Sequence, residues 1–543
     1  MTDMTRRTVL ALTATILAAG SVSAQSATDA LQITQPDFRG TARFMGMGGA
    51  FTALGGDLST LTQNPAGIGI YRHSEIGATL DITFMNNKTT SAVGDSKLDH
   101  TKAACNNFGY IGVANIGSTL ESFQWGVTYN RTAQIDRSYY GYANPTQTSL
   151  TNYIATYSNK AGYTGSDLDA SGSGYNPYRD SDYDWLSILA YNSGMMNDDG
   201  RRMVGLYNNG TTADAEISVR EHGYTDEYSF NFGGNISNVV YWGLGIGVTD
   251  LSYTRTTIYS ESLEHATIYS RPEHGLVDDG NAGYTMYNNK HISGNGWKLS
   301  LGLIVKPIEE LRIGLAFHTP TWWTLSQNYE AAVDYSYFDP MYPEGSNNPN
   351  DGSHLSDYAD FDWRLSSPWR MMAGVATVIG GKAIVSADYE RLAYNDMTAR
   401  TPVYDYYGYL DSYQSNENLN NEIKTYSRAA NIIRVGAEYR VTPKFSGRLG
   451  YNFRSSSTSK ETENGGEVIT SGTDPSFNLN KTASNISFGL GYRFGAFYID
   501  GTYVHKQQKS TLCAYTDFDG LRAPRFDATE SNNAIVLSLG YRF

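Results

Sequence analysis

Apolar and polar residues alternate along fourteen segments of the chain, and the last segment shows the pattern most clearly. Between 533 and 543, Ile535, Leu537, Leu539 and Phe543 share one face, whereas the residues between them are mostly small or polar. Side chains point to alternate faces of a β-strand, so a period of two predicts a strand with one apolar face. Repetition of this pattern predicts an all-β fold.

The spacing of these segments predicts how the strands connect. The predicted strands lie at 75–86, 107–116, 122–131, 226–236, 240–253, 296–305, 311–319, 369–379, 383–394, 429–440, 444–454, 484–493, 496–506 and 533–543. Gaps after even-numbered strands are short and gaps after odd-numbered strands are long, as in outer-membrane barrels with an even strand count. Residues 75–543 are therefore predicted to form a membrane-spanning antiparallel β-barrel of about fourteen strands with long extracellular loops.

The first residues indicate export from the cytoplasm. Arg6 and Arg7 precede a short apolar run at 9–19, which ends in small residues at 22–24. A basic region, a short apolar region and a small-residue cleavage site are typical of a secretory signal peptide. We predict a signal peptide at 1–24 and a multi-pass protein of the bacterial cell outer membrane.

Composition agrees with this fold although the mean hydropathy does not suggest a membrane protein. The mean hydropathy is −0.41, but aromatic residues make up 13% of the chain and there are 55 Gly. A barrel hides its apolar residues by alternation and places aromatic residues at the two membrane interfaces. A secreted β-sandwich or propeller is the alternative. The net charge of −14 makes nucleic acid a poor partner.

Two stretches of the longest predicted loop have helical periodicity, at 150–157 and 185–189. Together with the residues that follow, they form a set of apolar side chains. Two interpretations are open: a local core of the loop, or an external apolar groove that receives a ligand. The candidate groove residues are Tyr153, Ile154, Trp185, Ile188, Leu189, Met195 and Met196.

Residues 25–74 have little strand character and are rich in glycine, which permits tight turns and close backbone packing. A compact segment before a barrel of this size fits the lumen, which is otherwise an open channel. We predict an N-terminal hatch at 25–74 that plugs the barrel. Near its end lies Asn64-Pro65-Ala66, followed by Gly67.

The chain resembles the FadL/TodX family of outer-membrane transporters for hydrophobic compounds, in its Bacteroidetes branch. The resemblance rests on Asn64-Pro65-Ala66, on the glycine-rich stretch 46–57, and on 316–320 and 386–389. It implies a hatch held by the Asn-Pro-Ala motif and uptake of fatty acids or aromatic hydrocarbons. It also implies lateral exit beside a kinked third strand, in which Gly126 is the residue that would ease a kink.

Other functions find less support in the sequence. The nine His residues are scattered, and no metal-binding or catalytic motif occurs, so we expect no enzyme, no metal and no cofactor. Alternatives are an adaptor barrel for secreted proteins and a haem-binding receptor, which would need an axial ligand. An apolar lumen would favour the transporter over the adaptor. Expected partners are a hydrophobic small molecule, outer-membrane lipid and lipopolysaccharide, and the barrel assembly machinery, through Phe543.

The two cysteines are predicted to meet. Cys105 lies just before the second predicted strand and Cys513 lies in the last long loop. The first and last strands of a closed barrel pair, so these loops are neighbours, and the compartment is oxidising. We expect a Cys105–Cys513 disulfide; two unpaired thiols with Cα atoms more than about 7 Å apart are the alternative.

Overall fold

The fold is seen in a computed structural model of the chain, which describes residues 25–117, 119–172, 174–180, 182–269, 275–338, 351–470 and 472–543. The predicted signal peptide lies outside these residues. Among them, no helix is long and apolar enough to cross a membrane.

Strands dominate the described residues. The strands are β1 (Glu75–Ser91), β2 (Gly94–Asn115), β3 (Leu120–Ala143), β4 (Met196–Asp198), β5 (Met203–Gly205), β6 (Thr212–Ile236), β7 (Val240–Tyr269), β8 (Leu276–Ile308), β9 (Leu311–His318), β10 (Trp322–Phe338), β11 (Asp351–Leu355), β12 (Ala359–Ser366), β13 (Arg370–Ile379), β14 (Ala383–Leu392), β15 (Thr398–Tyr404), β16 (Leu410–Ser415), β17 (Ala430–Arg440), β18 (Phe445–Arg454), β19 (Phe477–Phe494), β20 (Phe497–Cys513) and β21 (Arg525–Arg542). The α-helices are α1 (Ala27–Thr34), α2 (Ala42–Gly46), α3 (Leu150–Ala161), α4 (Gly165–Leu168), α5 (Trp185–Asn192), α6 (Glu417–Tyr426) and α7 (Lys460–Glu463). Short 3-10 helices cover Leu58–Thr62, Pro65–Ile70, Pro177–Arg179 and Tyr394–Asp396.

Fourteen strands close into an antiparallel barrel, which confirms the predicted fold class. In order around the wall they are β1, β2, β3, β6, β7, β8, β9, β13, β14, β17, β18, β19, β20 and β21. The last strand then pairs with the first, so that Leu537 lies opposite Leu80. Short connections and the chain's C-terminus lie at one end, which we call the turn end; the opposite end is the loop end.

An apolar band surrounds the barrel near the turn end. On β7, the outward residues from Trp242 to Val248 are apolar, whereas 250, 252, 254 and 256 are Asp, Ser or Thr. A strand of about 9–11 residues crosses a bilayer. Because β7 and β8 contain 30 and 33 residues, they extend well beyond the membrane at the loop end.

This extension corrects the predicted loops. Much of the sequence assigned to long loops continues the strands, so that β1 and β2 form one hairpin that turns at 92–93. Outside the membrane neither face of a strand needs to be uniformly apolar, and the alternation that marks the membrane-spanning part is lost there. The wall therefore rises beyond the membrane as a paired sheet.

Residues 25–70 lie inside the barrel, and three layers of packed side chains fill its length. Nearest the turn end, residues such as Phe51 and Ile68 pack against the wall. Helix α1 packs in the middle layer with residues that include Trp363 and Tyr394. At the loop end, α3 and α5 form a cap with the inner faces of the extended strands.

The position of the membrane along the strands can be tested with two isoleucines of β7. Ile246 and Ile258 face outward from β7 and are 39% and 38% exposed. Only Ile246 lies within the apolar band, so Ile246→Arg should cost about 2–4 kcal/mol. Ile258→Arg should change the free energy of unfolding by less than about 0.5 kcal/mol. Urea unfolding from lipid vesicles measures both, and an equal cost would contradict this placement.

Candidate functional site

The Asn-Pro-Ala motif begins a 3-10 helix, Pro65–Ile70, inside the barrel. The buried Asn64 side chain donates from Nδ2 to the carbonyl oxygens of Thr52, at 2.6 Å, and Leu303, at 3.5 Å. Its Oδ1 accepts from the Ala66 N–H at 3.0 Å. Asn is a favoured helix cap, and Pro fits the first helical position because its missing N–H needs no partner there. The motif thus joins the N-terminal segment to the wall through Leu303.

The wall opposite this motif carries no side chains. Gly243 of β7 lies opposite Gly302 of β8, and a Cβ atom at either would overlap Pro65 or the Asn64 side chain. The same holds farther around the barrel. Other wall glycines in such close contact with the segment are Gly233 against Ile68, Gly314 against Thr52, Gly436 against Met47 and Gly450 against Gly48. These glycines let the segment's backbone rest directly on the strands.

Ion pairs also hold the N-terminal segment. Arg39 pairs with Asp81 of β1 at 2.7 Å, and Arg43 pairs with Glu438 of β17 at 3.0 Å. Lys506 of β20 lies 3.1 Å from Asp37. Although burial raises the pKa of the Asp37 carboxyl, Lys506 and Arg39 together hold this pKa below its ordinary value. These charged residues of the segment were not singled out from the sequence, because a single charge in a glycine-rich stretch gives no periodic signal.

A cavity of about 170 Å³ lies in the lumen beside residues 32–44 and 59–63 of the segment. Most of its described lining residues are polar or charged, and they include Arg39, Asn106, Arg434, Arg454 and Lys506. The apolar lumen that would favour the transporter over the adaptor is therefore not found at this cavity. The apolar face of each strand is turned toward lipid, so the lumen receives the polar face, whose groups must find partners inside.

Beside this cavity the wall is incompletely paired. Within 94–117 and 119–143, which are described, pairing between β2 and β3 ends at Asn107 opposite Asn130, although both strands continue. The ladder is irregular at Asn106 and Thr132, just beyond this point. We call this stretch without backbone pairing the seam; the side chains of Ser96 and Lys102 on β2 still bridge it to the Tyr140 carbonyl and to Asp136 on β3. The Asp37 N–H donates to the Thr132 carbonyl at 3.0 Å, so the segment occupies the seam on its inner side.

Gly126 does not mark an opening in the wall, contrary to the sequence-based interpretation. It lies opposite Ile111 of β2 and Asn231 of β6 in continuous ladders. A Cβ atom added at Gly126 would lie 3.3 Å from the Ile68 side chain, so Gly126 is one more glycine that accommodates the segment. The irregular point of β3 is instead the bulge at Thr132, which has no distinctive sequence signal.

The candidate ligand groove in the long loop is also wrong. Its seven residues pack into the cap; Ile154, Ile188, Leu189, Met195 and Met196 are each at most 1% exposed. Tyr153 and Trp185 pack against the same core and contact Tyr515 and Tyr329. The helical periodicity predicted the helices, but their apolar faces are covered by the extended wall. A local core is therefore the correct interpretation.

The two cysteines are free in the structure, so the expected disulfide is absent from it. Cys105 lies within β2 opposite Leu80, which lies opposite Leu537. Cys513 lies opposite Arg525, twelve residues from Leu537 along β21 and so about 40 Å away. The prediction failed because it placed Cys105 at the outer end of its strand, and the strand continues far beyond it.

The role of Asn64 can be tested by deleting its amide. Asn64→Ala removes the bonds to Thr52 and Leu303 and leaves buried carbonyl groups unpaired, at about 1–3 kcal/mol. Hydrogen exchange within 42–70 should accelerate by about tenfold, while the heat-dependent gel shift of the barrel is unchanged. Asn421→Ala, at an exposed position of α6, is the control. Unaltered exchange in Asn64→Ala would contradict the assigned role.

Comparison with models of known protein families gave no match, nor did comparison with curated protein sequences. Among solved structures, the chain is similar to a FadL homologue of Pseudomonas aeruginosa, with 14% identity, a TM-score of 0.50, and coverage of 94% of this chain and 99% of that one. It is similar to a mutant (deltaS2) of the monoaromatic hydrocarbon channel TodX, with 13% identity, a TM-score of 0.51, and coverage of 93% and 99%. For the P. putida toluene transporter TodX, identity is 13%, the TM-score is 0.48, and coverage is 93% and 99%. At these identities the likeness shows the fold: a FadL-like barrel.

Proposed function

We propose that this protein is a bacterial outer-membrane transporter that takes up hydrophobic small molecules, such as long-chain fatty acids or aromatic hydrocarbons, and that residues 25–74 act as its hatch. The observation that carries the proposal is the seam between β2 and β3, which opens onto the luminal cavity and is occupied by Asp37 of the segment. In this arrangement a movement of the segment changes access between lumen and membrane. The proposal assigns no enzymatic activity to the chain.

The proposed route leads sideways through the seam. The cavity of about 170 Å³ is smaller than the roughly 300–1,000 Å³ of pockets for drug-sized ligands, so we take this structure as the closed state of the proposed transporter. Displacement of Asp37 and Arg39 would enlarge the cavity and free Thr132 and Asn106 at the seam. Outward residues of β2 beside the seam include Ala103 and Cys105, which are compatible with passage of an apolar molecule into lipid.

The adaptor is the second candidate function, and two observations favour it. The cavity is polar rather than apolar, and the loop end is filled by the packed cap. A barrel filled in this way could support secreted proteins without carrying any solute. Haem binding has less support, because the described residues that line the cavity include no His, Cys or Tyr, and Met85 alone could serve as an axial ligand.

Several partners also belong to the proposal. The apolar band would contact outer-membrane lipid, and the extended wall above it would lie among lipopolysaccharide. Phe543 is 57% exposed and packs beside Tyr541 and Tyr110, which suits recognition by the barrel assembly machinery. Placement in the Bacteroidetes branch of this transporter type remains a prediction.

A reversible disulfide across the seam, which we call the seam lock, tests the proposed transport. Asp37→Cys with Thr132→Cys, in a chain whose native cysteines are replaced, should form a disulfide because the two backbones are already hydrogen-bonded. The oxidised protein should lower uptake of labelled fatty acid or toluene to that of cells without the protein. Reduction should restore uptake. The measurement uses cells that lack their own transporters for these compounds, at equal surface abundance.

The matched control places a disulfide where the wall is already paired. Thr256 and Asn289 lie opposite each other on β7 and β8, so a cysteine pair there links paired strands beyond the apolar band. This disulfide should leave uptake unchanged. If the seam lock has no effect while uptake is measurable, the lateral route is wrong. If the wild-type protein takes up none of the compounds, the adaptor becomes the better proposal.

A further inference from the structure

The mouth of the barrel at the turn end is a positively charged cavity of about 380 Å³. The ends of several strands and the N-terminal segment surround it, and its charged lining contains eight Arg or Lys and four Asp or Glu side chains. The cations are Arg43, Arg72, Arg312, Arg440, Lys444, Arg448, Arg493 and Arg542, and the anions are Asp57, Glu75, Glu438 and Asp500. The whole chain has a net charge of −14, so this surplus of positive charge is local.

The four carboxylates are already engaged. Glu438 pairs with Arg43 and Arg448, and Asp500 pairs with Arg448 at 2.6 Å. Glu75 pairs with Arg542 at 2.5 Å. Asp57 accepts hydrogen bonds within the N-terminal segment, from Thr41 and Ser59. Three of the eight cations are neutralised in this way.

The remaining cations have no carboxylate within ion-pair distance among the described residues. Arg312 donates from Nη1 to the Leu54 carbonyl at 2.8 Å, while its buried Nε has no hydrogen-bond partner. Arg43 and Arg72 of the segment line the same cavity as Arg312, and Arg440 and Arg542 line it with Arg493. Like charges held together in this way repel one another, and a bound anion would reduce that repulsion.

We infer that this cavity, which we call the vestibule, is a binding site for a small multivalent anion that carries carboxylate or phosphate groups. Guanidinium groups present pairs of N–H donors that match both groups in geometry. The volume lies within the range of small-molecule sites. The anion would bridge Arg312, Arg440 and Arg493 of the wall to Arg72 of the segment. The vestibule goes beyond the proposed transport and does not depend on it.

A binding experiment with two probes tests the vestibule. Citrate and inorganic phosphate are titrated separately into the full-length protein in neutral detergent, at constant ionic strength, and binding heat is measured. At least one anion should bind saturably. Arg312→Gln with Arg493→Gln should raise its dissociation constant by about tenfold or more, since charge-assisted hydrogen bonds are lost. Citrate alone would identify a carboxylate ligand, and phosphate alone a phosphate-bearing ligand.

Additional variants and a protease assay exclude trivial explanations. Arg220→Gln removes an exposed charge from β6 far from the vestibule and should leave binding unchanged. If the double variant fails to fold, the single variant Arg440→Gln, at the end of β17, replaces it and should also weaken binding. The bound anion should also slow trypsin cleavage after Arg72, which is exposed. Absence of saturable binding of both anions, or equal weakening by Arg220→Gln, would overturn the inference.

Discussion

The interior of this barrel depends on close contact between the backbone of the N-terminal segment and glycine residues of the wall. Gly233, Gly243 and Gly302 lie opposite one another on three adjacent strands; the Asn-Pro-Ala turn rests on Gly243 and Gly302, and Ile68 of the same 3-10 helix packs against Gly233. Any side chain there would push the turn away from the wall and lengthen the bonds that Asn64 makes. Steric room, more than attraction, therefore decides where the segment lies, and the hydrogen bonds and ion pairs then fix its conformation.

The polar lumen follows from the same geometry. An internal segment that presents its backbone to the wall brings many N–H and C=O groups into the interior, and each needs a partner. Inward polar residues supply them: Asp388 accepts from the Thr52 N–H at 2.8 Å, and Ser538 accepts from the Ala42 N–H at 2.7 Å. An apolar lumen could not hold such a segment, because the unpaired groups would each cost free energy. A polar interior is thus a requirement of this packed segment, whatever the protein carries.

The sequence predicted the membrane-spanning part well because lipid imposes a strict rule on it. Alternation located all fourteen strands, including the weak second one, and the short turns gave the strand order. Beyond the membrane this rule ceases, so the extension of β1 and β2 was read as a loop, and the position of Cys105 was misjudged with it. The motif at Asn64 located a real contact point. The partners of Arg39 and Asp37 could not be predicted, because they lie on strands distant in sequence.

The position of α1 has a consequence for how the molecule is assembled. This helix lies in the middle layer of the barrel, while the chain leaves the interior at the turn end through residues 71–74. The layers above and below α1 are packed, so a folded N-terminal segment has no free path into a closed wall. We therefore expect the segment to fold against β6, β7 and β8 while the wall is still open, with the pairing of β1 and β21 as the last step. The N-terminal segment would then be packed in the lumen before the barrel closes around it.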